Sequence, residues 1–276
     1  MQTIRIRDVK IGPGAPLAVI AGPCVAESKA LCMEIGRELR DVCADLGLGY
    51  IFKASFDKAN RSSGRSYRGP GIKKGLAWLM EVGERLGVPV TTDVHESSQA
   101  HAVGKAVDLI QVPAFLSRQT DLLLAAAETG RAVNVKKGQF LSPAEMKNVV
   151  AKLEEAGTAK AGIMLTERGT FFGYGRLVND FPGVVDMMEL GWPVCFDVTH
   201  STQQPGGQGT QSGGRPERAP LLARCAVAAG VQALFFETHP EPKAAKSDAA
   251  TMLPLAGMGE LLAELAPLRR ALPKGI

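Results

Sequence analysis

The sequence has 276 residues, a length that suits one large domain, and about 250 residues is the usual size of a closed α/β barrel. Its 45% hydrophobic and 22% charged content is that of an ordinary soluble chain, which excludes disorder, a collagen repeat and a disulfide scaffold. Lysine and arginine total 32 against 28 aspartate and glutamate, and the resulting +4 is too mild to indicate a nucleic-acid partner.

The opening residues, TIRIRDVKIGPG, alternate apolar and polar side chains before a Pro/Gly turn and predict a short hairpin that plugs the bottom of a barrel. Eight short apolar runs follow: 17–22, 50–55, 88–94, 109–115, 132–137, 162–167, 193–198 and 233–238. Amphipathic stretches predict helices at 28–46, 71–86, 96–106, 119–129, 143–156, 181–190, 216–229 and 252–270. Strands that are nearly continuous in hydrophobicity and alternate with helices point to a parallel array covered on both faces. A single (β/α)8 TIM barrel over 1–276 is the economical reading, ahead of an open doubly wound sheet.

The polar stretch QQPGGQGTQSGG at 203–214 reads as a mobile loop over the top face, since it does not open a helix directly after a strand as a nucleotide fingerprint would. Cys24, Cys32, Cys43, Cys195 and Cys225 form no C-x-x-C pair, which suits a reducing cytoplasm. No apolar leader core and no stretch of about 18 apolar residues is present, so neither export nor a membrane partner is expected.

Barrel active sites lie at the C-terminal ends of the strands, and the unusual polar residues collect there. Strand one is followed by Cys24; strand two carries Lys53 and runs into Lys58, Asn60 and Arg61. Strand three ends at Asp93 and His95, strand four holds Gln111, and strand five ends in Lys136 and Lys137. Glu167 and Arg168 end strand six, Asp197 and His200 strand seven, Glu237 and His239 strand eight.

Lys53, Lys58, Arg61, Lys136 and Arg168 would converge on one mouth, and so many cations imply more than one anionic group on the ligand. The bland alternative, solvated charges on a barrel edge, fits any one of them better than all five. Cys24, His200, Glu237 and Asp248 share the sector where strands seven, eight and one meet, and that donor set suits Zn²⁺, Fe²⁺ or Mn²⁺ rather than Mg²⁺ or Ca²⁺. Taken singly, Cys24 fits a buried small residue and His200 a satisfied hydrogen-bonder. His101 falls on a helix and is expected to be exposed. No nucleophile triad is present, and a Schiff base through Lys53, Lys58 or Lys136 is a minor alternative.

Eight segments carry a wider resemblance: AGPCVAES, FKASFDKANRSSGRSYRGPG, TTDVHES, QVPAFLSRQTDLL, NVKKGQF, TERGTFFGYG, FDVTHSTQQPGG and FFETHPEPKAAKSDAATMLPL. From about residue 17 to the last helix the chain resembles the 3-deoxy-D-manno-octulosonate 8-phosphate synthases. The resemblance implies a transferase that condenses phosphoenolpyruvate with D-arabinose 5-phosphate and water, in lipopolysaccharide core biosynthesis, as a cytoplasmic homotetramer.

By matching segments, Lys136 and Arg168 would hold phosphoenolpyruvate with Lys53, Ser55 and Gln111 nearby, and Lys58 would reach between the substrates. Asn60, Arg61 and Ser62 of KANRSS would take the sugar phosphate and Asp93 a sugar hydroxyl, with Lys58, Lys136, His200 and Asp248 as catalytic groups. Cys24 rather than Asn after AGP implies the metal-dependent form, with Cys24, His200, Glu237 and Asp248 as ligands of a divalent transition metal. The nearest rival is the sister heptulosonate 7-phosphate synthase that uses erythrose 4-phosphate, whose KPRTS-like segment differs from KANRSS at Asn60. A catalytically silent sugar-phosphate-binding barrel is the rival from outside enzymes.

Overall fold

The computed structural model describes residues 1–60, 64–206 and 213–272. It begins with an antiparallel hairpin, β1 (Ile4–Ile6) and β2 (Val9–Ile11), with Ile4 facing Ile11 and Ile6 facing Val9. These four side chains are buried while Arg5 and Lys10 point out, the period of two expected of a half-buried ribbon. Arg7 donates to the carbonyl of Val88, and a Cβ on Gly162 would strike Ile4, so the hairpin closes the N-terminal end of the strands.

The barrel strands follow: β3 (Ala18–Gly22), β4 (Gly49–Lys53), β5 (Val90–Asp93), β6 (Leu109–Val112), β7 (Ala132–Lys136) and β8 (Ile163–Glu167). A second hairpin, β9 (Thr170–Gly173) with β10 (Arg176–Val178), interrupts the array before β11 (Val194–Asp197). A two-residue ladder, β12 (Gln203–Gln204) with β13 (Gly213–Gly214), frames the Gly-rich loop, whose residues 207–212 lie outside the described residues. Then come β14 (Ala233–His239) and the short β15 (Leu253–Pro254). Parallel pairing runs β3 to β8 in sequence, then β8 to β11, β11 to β14 and β14 to β3, which closes an eight-strand ring.

Helices α1 (Lys29–Leu46), α2 (Ile72–Leu86), α3 (Ser97–Ala106), α4 (Thr120–Glu128), α5 (Met146–Glu155) and α6 (Phe181–Glu189) cover the outside, the one-turn α7 (Val198–Ser201) follows β11, and α8 (Ala219–Ala228) and α9 (Met258–Ala271) complete the cover. The sequence explains their limits. Ser28 Oγ accepts from Leu31 N to start α1, Cys32, Ile35, Leu39 and Cys43 make its buried stripe, and Gly47 at φ 67° ends it. Asp180 caps α6 in the same way through Gly183 N.

The closed (β/α)8 barrel and its N-terminal hairpin are therefore as the sequence predicts. Three elements differ. The β9–β10 hairpin lies where the sequence predicts neither strand nor helix, and Tyr174 and Gly175, at φ 52° and 78°, form its two-residue turn. The helix expected from 252 begins at Met258, because Leu253–Pro254 pairs with the end of β14. The α7 turn exists because Asp197 caps it. No helix among the described residues is long and apolar enough to cross a membrane.

Candidate active site

A cavity of about 760 Å³ opens at the C-terminal ends of the strands, within the usual range for a small-molecule site. Strand alternation decides which side chains reach it. Lys136 ends β7 on the inward face and Arg168 follows β8 on the same side, so both line the cavity, as do Lys53 and Lys58 from the β4 segment. Arg61 and Ser62, the other residues expected to bind phosphate, lie outside the described residues. Asn60 also lines the cavity and is itself exposed.

Each cation has a defined environment. Lys136 Nζ lies 2.5 Å from Asp197 Oδ2 and 3.6 Å from the centroid of the Phe235 ring. Arg168 is 5% exposed, and its Nη2 donates to Gln203 Oε1 at 2.6 Å. Its Nη1 is buried without a hydrogen-bond partner among the described residues, a donor that an incoming anion would satisfy. Burial opposes the charge on Lys58, but Cys24, Glu237, Asp93 and Asp248 around it outweigh that and push its pKa well up.

The metal-ligand candidates meet where β14 lies beside β3. Donor atoms of Cys24, Glu237 and Asp248 all lie within 4.8 Å of one another. Bonds of about 2.0–2.3 Å at a tetrahedral ion set donors about 3.3–3.8 Å apart, and Cys24 Sγ stands 3.2 Å from Asp248 Oδ2, close to that spacing. His200, the fourth expected ligand, stands beside that group rather than within its common 4.8 Å span, with Nε2 3.5 Å from Glu237 Oε2 and 3.7 Å from Asp248 Oδ2.

Two further observations fit an ion. Glu237 Oε2 is buried with no hydrogen-bond partner among the described residues, while Oε1 takes Lys53 Nζ at 2.7 Å. His200 Nδ1 is 2.7 Å from Asp197 Oδ2, the carboxylate–imidazole arrangement that leaves Nε2 for a metal. Cys24 Sγ lies 2.9 Å from Ser247 Oγ and 3.2 Å from Asp248 Oδ2. Burial, then Asp248 and Glu237, push its thiol well up, and a divalent cation would reverse that balance.

A row of hydrogen bonds crosses the barrel beneath these groups. Thr166 Oγ1 donates to Asn134 Oδ1 at 2.6 Å, Asn134 Nδ2 to Gln111 Oε1 at 3.4 Å, and Gln111 Nε2 to Asp93 Oδ1. Ser55 Oγ donates to Asp93 Oδ2 at 2.5 Å. Gln111 and Ser55, expected near phosphoenolpyruvate, thus bond to Asp93, expected at a sugar hydroxyl.

Asn134, Thr166 and Gln203 were not singled out from the sequence. Asn134 stands two residues before Lys136 and Thr166 two before Arg168, so the period of two was a usable signal for both; nothing local marks Gln203. His95 lines the cavity edge-on to Phe56, His101 is exposed on α3, and His239 accepts from Glu241 N at 2.9 Å.

Burial opposes the charge of Asp93, Asp197 and Asp248, but neighbouring Lys and His cations outweigh it and hold all three below the ordinary carboxylate range. Each therefore contributes stability that is complete above the unfolded value of about 4 and lost as pH falls through the folded one. The urea midpoint of chelator-treated protein is expected to drop below about pH 4, and Asp197→Asn to remove part of the drop. An acid flank unchanged by Asp197→Asn would contradict this origin.

The family model described as "DAHP synthetase I family" matches residues 1–271. Among curated proteins, a 2-dehydro-3-deoxyphosphooctonate aldolase of Cyanothece sp. (strain PCC 7425 / ATCC 29141) is 54% identical over 96% of this chain and 96% of its own. Proteins of the same name from Azoarcus sp. (strain BH72) and Protochlamydia amoebophila (strain UWE25) are 54% and 47% identical, over 93% and 99% of this chain and 92% and 99% of theirs. That name is another for the octulosonate 8-phosphate synthases that the sequence resembles. The chain belongs to the DAHP synthetase I family, and within it to the group of the 2-dehydro-3-deoxyphosphooctonate aldolases.

Proposed function

We propose that the chain, as one domain over 1–276, condenses phosphoenolpyruvate with D-arabinose 5-phosphate and water, giving 3-deoxy-D-manno-octulosonate 8-phosphate and inorganic phosphate. The observation that carries the reading is that Lys136 and Arg168 line one cavity with His200, Glu237 and Asp248, and that Cys24 stands behind the last two, so anion binding and metal-ligand chemistry meet at one mouth. Lys136 and the unpartnered Nη1 of Arg168 hold the phosphate and carboxylate of phosphoenolpyruvate, with Lys53, Ser55 and Gln111 beside it. Asn60, Arg61 and Ser62 take the sugar phosphate, and Asp93 a sugar hydroxyl.

C3 of phosphoenolpyruvate attacks the aldehyde carbon, water adds at C2, and the hemiketal phosphate collapses with C–O cleavage. Lys58 and Lys136 stabilise the negative charge that develops, acting as preorganised cations that line the cavity. Asp197 holds the His200 ring, and His200 and Asp248 position the proton transfers on the water side. A divalent ion such as Zn²⁺, Fe²⁺ or Mn²⁺ held by Cys24, His200, Glu237 and Asp248 would supply Lewis acidity there. The same reading includes a cytoplasmic homotetramer serving lipopolysaccharide core synthesis.

The test is phosphate release from phosphoenolpyruvate with arabinose 5-phosphate and, separately, erythrose 4-phosphate, each before and after chelation and metal add-back. Turnover of the five-carbon sugar that dies on chelation and returns with Mn²⁺ or Zn²⁺ is expected. Preference for erythrose 4-phosphate would move the chain to the heptulosonate reaction, and no turnover of either would leave a silent barrel.

A further inference from the structure

Lys136 and Arg168 each have a neighbour in sequence that the reaction does not use. Because side chains alternate along a strand, Lys137 and Glu167 point away from the cavity, into the wall behind it. Both are completely buried, with Lys137 Nζ 3.4 Å from Glu167 Oε2. The same ammonium reaches Leu141 O and Thr170 Oγ1, each at 3.0 Å, and Gly138 O at 3.5 Å. Glu167 Oε1 accepts from Arg168 N at 3.0 Å and Gly169 N at 2.6 Å. Lys137 N in turn donates to Thr166 O at 2.7 Å, and Phe171 N to Gln139 O at 2.9 Å.

Those bonds tie the end of β7 to the end of β8 at the backbone of the residues next to the two anion-holding cations. Gln139 and Phe171, on the tethered segments, also line the cavity. A buried ion pair is a poor device for stability alone, since an apolar pair of similar volume commonly holds a fold as well or better. Its worth here is geometric, because a misplacement of about 1 Å in a substrate clamp costs about 100-fold in rate.

We propose that Lys137 and Glu167 are positioning residues, an ion-paired clasp behind the barrel wall that sets the spacing between Lys136 and Arg168 and thereby the affinity for phosphoenolpyruvate. This rests on the proposed phosphoenolpyruvate site. The experiment compares K137M, K137R and the apolar double variant K137M/E167M with the wild type, by thermal unfolding, by KM for each substrate and by direct titration with phosphoenolpyruvate.

K137M strands a buried carboxylate, so it is expected to lose stability as well as affinity; the double variant removes that charge and regains the stability. Expected in the double variant is a KM for phosphoenolpyruvate raised roughly 10- to 100-fold, with KM for the sugar phosphate within about twofold. K137R keeps the charge and its reach, and should recover most of the affinity lost in K137M. A stable double variant that binds phosphoenolpyruvate like the wild type would overturn the clasp while leaving the function intact. A wild-type chain that binds no phosphoenolpyruvate would overturn the function and the clasp with it.

Discussion

Replacing Arg168 by alanine is expected to lower kcat/KM for phosphoenolpyruvate by roughly 100- to 1,000-fold, about 3–4 kcal/mol, the range for truncating one member of a buried charge pair. Burial pushes this guanidinium's pKa down and Asp197, Glu167, Asp248 and Glu237 oppose that, so the cation is poised between acidic neighbours and the cavity. Its Nη1 spends no hydrogen bond on the described residues, so the loss should fall on the ligand more than on the fold. Arg168→Lys keeps a charge and loses the planar fork, and should fall between the two. Steady-state kinetics with each substrate varied would decide the matter. An alanine variant with wild-type KM for phosphoenolpyruvate would remove Arg168 from the anion site.

Cys24→Ala carries the second large effect. The variant is expected to purify with little bound metal and to lose at least 10- to 100-fold in activity, a loss already typical of removing an outer partner of a ligand. Stability gives an independent reading. An ion at about a thousandfold excess over its Kd stabilises the folded chain by about 4 kcal/mol, so adding Mn²⁺ or Zn²⁺ to chelated wild type should raise its unfolding temperature by several degrees. Cys24→Ala should show a much smaller rise, because Glu237, Asp248 and His200 remain without the thiolate. Metal content and a thermal shift equal to those of the wild type would dismiss Cys24 as a ligand.

How much of this was legible in the sequence follows from the range of the physics involved. The strands were readable because burial on both faces leaves a continuous apolar run, as in LIQV and VCFD, each buried throughout. The inward polar residues were readable because they break such runs at their ends. Pairings made across the barrel were not. Lys53 stood out as a cation for anions, yet its ammonium rests on Glu237, a carboxylate 184 residues away. Glu237 thus divides its two oxygens between a lysine and the candidate metal group, which only closure of β14 against β3 brings about. Lys137 and Glu167 stood beside the expected site residues in sequence and alternation alone turns them outward, but their mutual contact needed the register of β7 against β8.

The row from Thr166 to Asp93 has a direction that one residue dictates. A hydroxyl and an amide can each be turned end for end, but an ionised carboxylate only accepts. Asp93 therefore obliges Gln111 to present its NH₂, Gln111 obliges Asn134 to do the same, and Asn134 leaves its carbonyl to the Thr166 hydroxyl. Like dominoes set by the first to fall, dipoles on β6, β7 and β8 align with a single negative charge on β5. A neutral residue at 93 would free both senses and turn a polar layer with one arrangement into a layer with two.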